Sequence, residues 1–224
     1  MARRKHPLPF DIVYEDGDVI VIDKPEGLLS THTNLPSRRM REKQPTAEKI
    51  LNVYVRKGQM KSGKRVYLVH RLDRETSGVM MFAKTRDVAD YFRNNWNDVT
   101  KKTYIAIVQG LLSQDEGFYE SNLKEDADGY KVRSVPSGGK KARTEWKVIS
   151  RDERRNRTVV GIELKSGRKN QIRVHFSEAG HPVVGDVKYG ATRADRMYLR
   201  SIGLTFRKKN GTEINCGAPV LFLI

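Results

Sequence analysis

Residues 66–84 read VYLVHRLDRETSGVMMFAK, in which two apolar runs, VYLV (66–69) and VMMFAK (79–84), flank the polar nonapeptide HRLDRETSG (70–78). Short apolar runs bounded by turn residues predict buried strands. Between them Asp73 stands among arginines, and Thr76, Ser77 and Gly78 supply the hydroxyls and the conformational freedom of a tight bend. A carboxylate presented from such a frame, at the edge of a core, suits a nucleophile or a base. Taken alone, the nine residues favour an Asp73 that only caps a turn and pairs with Arg71 or Arg74.

Working outward, DIVYED (11–16) and DVIVID (18–23) flank Gly17 and predict a β-hairpin, followed by the turn KPEGL. Residues 30–45 lack periodicity and predict an exposed basic loop. Thr46 is a candidate N-cap for a helix carrying Ile50, Leu51 and Tyr54 and ending near Gly58. Thr85 is another, with Val88, Tyr91, Phe92 and Trp96 on one helical face. KTYIAIVQG (102–110) predicts a strand, and TEWKVIS with RTVVGIELK a hairpin about the loop RDERRN. Residues 112–143 show only an acidic patch, EDAD, and a turn-rich basic segment. A helix around NQIRVHFSEAG closes at Gly180, and the tail supplies the last strands. Irregular interleaving of strands and helices, with frequent hairpins, predicts an α+β fold whose sheet is mixed and largely antiparallel. One domain over residues 1–224 is the simplest organisation, with two lobes about a central cleft as its variant.

The chain carries 43 Lys+Arg against 27 Asp+Glu, a net charge of +16, and a pI near 10.0. Such an excess favours a polyanionic partner, because each neutralised phosphate releases condensed counterions; nucleic acid leads. No segment has the length and apolarity of a signal or a span, and no basic amphipathic helix marks a membrane surface. Cys216 is the only cysteine, which excludes an internal disulfide and fits a reducing compartment. A soluble cytoplasmic protein, monomeric by default, is expected. Glycine-rich phosphate loops, metal-ligand clusters and nucleophile elbows are absent from the sequence. His175 and His181 are poorly spaced for a shared metal. Chemistry must therefore come from ordinary side chains, with no cofactor and no metal.

Three segments, HRLDRETSG (70–78), KTYIAIVQG (102–110) and LKSGRKNQIRVHFSEAGHPVVGDVKYG (164–190), stand in the order and register of HRLDxxTSG, KxYxAxVxG and GRxxQIRVHxxxxGxPxxGDxxYG. With DIVYEDGDVIVIDKPEGL ahead of them, the chain resembles the RluA-type pseudouridine synthases from about residue 11 to its C-terminus. The resemblance implies the pseudouridine synthase fold and cofactor-free isomerisation of uridine in rRNA or tRNA, with the target base flipped out. It makes Asp73 the catalytic aspartate, as nucleophile or base, and Arg173 the arginine that pairs with it. Tyr104 becomes the aromatic that stacks on the base; taken alone it is a half-buried strand tyrosine. Arg71 is implied to fill the gap left by the extruded nucleotide, and Leu164 to pack near the base.

The sequence departs from the family pattern at Lys169-Asn170, where Thr-His is common, and at Leu199-Arg200-Ser201, where Leu-His-Ala is common. Many relatives carry an N-terminal S4 domain. Here about ten residues precede the first motif, so the catalytic domain itself is expected to grip RNA, through basic segments at 37–43, 56–65 and 140–143. A second class of function is an RNA-binding or ribosome-assembly protein that keeps the fold without turnover. A third, a glycosidase releasing uracil, would need an acid/base partner for Asp73, for which the motif offers only Glu75.

Overall fold

The computed structural model describes residues 8–32, 44–57, 59 and 62–220, and the chain divides into two compact units, Met1–Asn95 and Trp96–Ile224. Each is built from the patterns just described.

In the first unit, β1 (Ile12–Glu15) and β2 (Val19–Lys24) form the expected hairpin. Its turn is fixed by Asp16, whose Oδ1 accepts from the backbone N–H groups of Asp18 and Val19, both at 2.8 Å. The VYLV run forms only the two-residue strand β3 (Tyr67–Leu68), whereas VMMFAK belongs to β4 (Ser77–Ala83), buried at every position. β4 pairs antiparallel with both β2 and β3, so its apolar residues are covered along both edges and both faces. The helix α1 (Ala47–Val55) starts at Thr46, whose hydroxyl accepts from Lys49 N at 3.1 Å. It ends at Val55, three residues earlier than the glycine suggested; Gly58 and the basic stretch 37–43 lie outside the described residues. The helix α2 (Arg86–Val99) begins after Thr85 as expected and buries Ala89 and Phe92.

The second unit is an antiparallel sheet. It runs β11 (Glu213–Gly217), β10 (Leu199–Arg207), β5 (Thr100–Gln109), β9 (Arg157–Leu164), β8 (Lys140–Asp152), β6 (Glu116–Glu125), β7 (Val132–Val135). Neither β6 nor β7 shows as a strand in the residue pattern: the charged residues 116–125 alternate with few apolar ones because much of this ribbon faces solvent. The helix α3 (Gln171–Glu178) covers one face, where Phe176 meets Tyr119 edge-on at 5.2 Å and Trp146 at 6.3 Å. The helix is buried on six consecutive residues, Gln171 to Phe176, so it lacks the polar face of a surface helix. Within this unit Ile105, Ile107, Val159 and Val184 form a second core cluster.

Gly185 admits no side chain. Its φ is +84°, and a β-carbon there would fall 1.8 Å from the carbonyl oxygen of Arg196. Gly185→Ala is expected to lower stability by about 2–3 kcal/mol through combined steric and backbone strain. A urea midpoint matching wild type would refute that reading.

Candidate active-site segments

In the first unit the HRLDRETSG bend is tied to the turn after β2 by a set of specific bonds. Ser30 Oγ donates to Leu72 O at 2.7 Å and accepts from Leu72 N at 3.2 Å. Gly27 N donates to Arg74 O at 2.8 Å, and Arg74 Nε returns a bond to Gly27 O at 3.2 Å. Thr76 N closes the bend on Asp73 O at 3.2 Å, and His70 Nε2 accepts from Met81 N at 2.9 Å, anchoring the bend to β4. Asp73 is half-buried at the tip, and Arg71 and Glu75 are exposed beside it. The bend foreseen from sequence is present, but Ser77 and Gly78 already belong to β4, and the bonds that hold it come from Ser30, Gly27, Arg74 and Lys24 rather than from the Thr76 and Ser77 hydroxyls.

Lys24 is the member that sequence reading missed. Its side chain is fully buried, and its ammonium donates to the carbonyls of Pro25 (2.9 Å), Leu28 (2.8 Å) and Arg74 (3.3 Å). Burial pushes its pKa down to about 8, against the pull of nearby carboxylates, of which Asp73 acts most strongly, then Glu75 and Glu26. Lys24 thus joins the two turns and sets positive charge behind Asp73. Its signal in the sequence is the lysine that closes VIVIDK after four buried apolar residues and Asp23.

In the second unit Tyr104 lies on β5 opposite Ile162 of β9, which is opposite Trp146 of β8. Residues directly opposite in an antiparallel pair share a face. Tyr104 therefore stands on the face that α3 covers. The next row is Lys102, Leu164 and Thr144, so the structure brings Leu164 to Tyr104's face, one row along. Tyr104 and Leu164 are only 7% and 9% exposed. Lys102 shares Leu164's row and is also buried; its ammonium donates to Asn97 Oδ1 at 3.2 Å, and burial, helped by Arg168, lowers its pKa to about 8.

Arg173 is buried on α3, and Asp186 holds it with two bonds, Nε to Oδ2 at 2.6 Å and Nη2 to Oδ1 at 2.8 Å. Its guanidinium also lies 5.1 Å from the centre of the Tyr189 ring. The Tyr189 hydroxyl donates to Asn170 Oδ1 at 3.2 Å and accepts from Val132 N at 3.0 Å. The start of α3 is fixed by Gln171, whose amide meets Ser166 Oγ (2.8 Å), Arg168 N (3.0 Å), Arg143 O (3.0 Å) and Thr144 Oγ1 (2.9 Å). The GDVKYG run is therefore a clamp for the arginine: Gly185 permits the close turn, Asp186 grips the guanidinium and Tyr189 stacks on it. From sequence alone Arg173 had one expected partner, Asp73; Asp186 and Tyr189 were not foreseen.

Other candidates behave as ordinary structure. His175 is buried between Thr144 Oγ1 (2.8 Å) and Ser121 Oγ (3.1 Å), and burial lowers its pKa. His181 Nδ1 meets Gln109 O at 2.9 Å. In the departing Leu199-Arg200-Ser201, Arg200 is buried and donates from Nε to Pro219 O at 2.8 Å, anchoring the segment that follows β11. Among the described residues no helix is long and apolar enough to cross a membrane.

The two buried lysines make stability depend on pH with a definite sign. Between pH 8 and 10.5 the unfolded chain holds protons that folded Lys24 and Lys102 have released, so unfolding is coupled to proton uptake and stability rises with pH. From pH 8 to about 9.5 each contributes up to about 2 kcal/mol. Denaturant titrations should show the unfolding free energy rising over that interval, and Lys102→Met should remove its share of the rise. A flat profile in the wild type would contradict the burial of both amines.

A family model described as RNA pseudouridylate synthase matches residues 18–178. An uncharacterized RNA pseudouridine synthase of Bacillus subtilis, YjbO, is 37% identical over 203 residues, covering 89% of this chain and 68% of the relative. The dual-specificity RNA pseudouridine synthase RluA of Yersinia pestis is 35% identical over 197 residues, 84% of this chain and 86% of the relative. Three further curated relatives are longer, and the match spans 57–59% of their length. Among solved structures, human RNA pseudouridylate synthase domain containing 1 superposes with a TM-score of 0.75 at 22% identity, over 98% of this chain and 88% of that one, which shows the fold.

Proposed function

Because the chain belongs to the RNA pseudouridylate synthase family, we propose that it converts uridine in structured rRNA or tRNA to pseudouridine. In that reaction the N1–C1′ bond of the nucleotide breaks, the uracil turns, and C5 bonds to C1′. The C5 hydrogen leaves as a proton and N1 gains one, so the balance needs no redox partner.

Asp73 is the catalytic carboxylate, attacking the sugar or removing a proton from it. Its latched bend and the buried ammonium of Lys24 fix it in place, and this carries the reading: a half-buried acid on a bend held by five bonds to a neighbouring turn is preorganised for chemistry. Tyr104 supplies the aromatic face for the base and Leu164 an apolar neighbour. Arg173, fixed by Asp186 and Tyr189, supplies an oriented guanidinium. Arg71, exposed beside the bend, fills the place of the flipped nucleotide, offsetting part of an extrusion cost of a few kcal/mol. The protein acts in the cytoplasm as a monomer, with its 224 residues as one catalytic domain.

The test supplies purified protein with unmodified rRNA and tRNA tritiated at uridine C5. Release of tritium, together with carbodiimide-stable adducts mapped by primer extension, identifies isomerisation. Retention of RNA with neither signal identifies a binding protein, and free uracil identifies a hydrolase.

A further inference from the structure

A cleft of about 420 Å³ in the second unit is lined by Lys124, Lys140, Arg168 and Lys169 and by Gly138 and Gly167. We infer that this cleft is a subsite for an RNA backbone phosphate lying outside the modified nucleotide. The inference rests on the proposed action on RNA, and deepens it by locating a grip.

The charge argument comes first. Four cations meet in the cleft with one carboxylate, Glu125, and that carboxylate is engaged by Lys169 at 2.9 Å. Lys169 also donates to Gly129 O at 2.8 Å, and Arg168 donates from Nε to Lys141 O at 3.0 Å, so both side chains are held rather than free to swing away. Among the described residues Lys124 and Lys140 form no ion pair with a carboxylate. Packing cations together without neutralising them costs energy unless an anion completes the set, and a phosphodiester supplies one charge with several acceptor oxygens.

Shape agrees with the charge. A β-carbon at Gly138 or Gly167 would meet nothing within 4 Å, so at both positions the missing side chain leaves backbone open to a ligand. Gly138 has a φ of +73°, a conformation that glycine adopts without strain. Glycine backbone and lysine together suit an anion that approaches the chain closely.

Position makes the ligand a strand of RNA rather than a free anion. Arg168 and Lys169 immediately precede Asn170, which binds the Tyr189 hydroxyl, and Tyr189 stacks on Arg173. The cleft and the arginine clamp thus share one loop, and a backbone lying in the cleft is led toward α3.

The experiment compares wild type, Lys124→Ala/Lys140→Ala, and a charge-matched control at exposed positions elsewhere, Lys147→Ala/Arg154→Ala. The probe is a fluorescein-labelled RNA stem-loop, and Kd is measured over a range of salt concentrations. Losing a phosphate contact is expected to reduce the slope of log Kd against log salt by about 1 in the cleft variant and to weaken binding several-fold, with the control unchanged. All exchanged side chains are exposed, and matching thermal transitions confirm folding. A slope retained by the cleft variant, or lost equally by both variants, overturns the inference. If the slope shifts as expected while wild type releases no C5 tritium, the cleft stands and the proposed isomerisation falls.

Discussion

Asp73→Ala is expected to abolish pseudouridine formation, lowering turnover by at least about 10⁴-fold, as removal of a group that forms or breaks bonds in the reaction does elsewhere. The fold should survive. Asp73 is half-buried, and the bonds that tie its bend to the turn after β2 use backbone atoms of Leu72 and Arg74, the Arg74 guanidinium, the Lys24 ammonium and the Ser30 hydroxyl, all of which the substitution retains. What does change is charge. Lys24 loses the strongest of the carboxylates that oppose its loss of a proton, so its pKa should fall further below about 8. The variant therefore has a signature of its own: near-zero C5 tritium release, RNA binding close to wild type, and a stability-versus-pH rise that begins at lower pH. Asp73→Asn should share the catalytic loss, because a neutral amide is neither nucleophile nor base. Turnover within tenfold of wild type in either variant would remove Asp73 from the reaction.

Much of the arrangement could be read in advance where one local signal sufficed. The Asp16-Gly17-Asp18 turn, the Thr46 cap and the apolar run 79–83 of β4 each follow from short-range rules, and each is found where those rules put it. Signals failed where long-range pairing decides. β6 and β7 form from charged, turn-rich sequence because β8 and α3 offer them a partner and a face, and VYLV is cut to two residues because its neighbours pair only briefly with β4. The site residues divide in the same way. Motif resemblance marks Asp73, Tyr104, Arg173, Arg71 and Leu164, but the groups that hold them, Lys24, Ser30, Asp186 and Tyr189, are chosen by contacts across tens of residues. The motifs contain Lys24, Asp186 and Tyr189, but nothing local in them says which distant group each one grips.

Asp186→Ala is expected to be the most damaging single change to folding. It leaves the Arg173 guanidinium, 4% exposed, without the carboxylate that takes two of its donors, and breaking one side of a buried pair costs about 3–5 kcal/mol. The loss spreads. Tyr189 packs on the same guanidinium and ties Asn170 to Val132, so slackening there reaches both the start of α3 and the β6–β7 ribbon. Urea unfolding should show the full loss, and activity should fall with it, leaving the two effects entangled in that variant. Asp186→Asn retains an acceptor of similar shape and should recover part of the stability. The pair separates them: Asp186→Leu/Arg173→Met removes both charges together, and a buried ion pair replaced by apolar groups of similar volume often costs little. That double variant is expected to unfold at a urea midpoint well above Asp186→Ala while still failing to release C5 tritium. If it instead regained activity along with stability, Arg173 would be a structural residue and its catalytic assignment would fail. If it stayed as unstable as Asp186→Ala, the cost would lie in lost shape around Tyr189 rather than in an uncompensated charge.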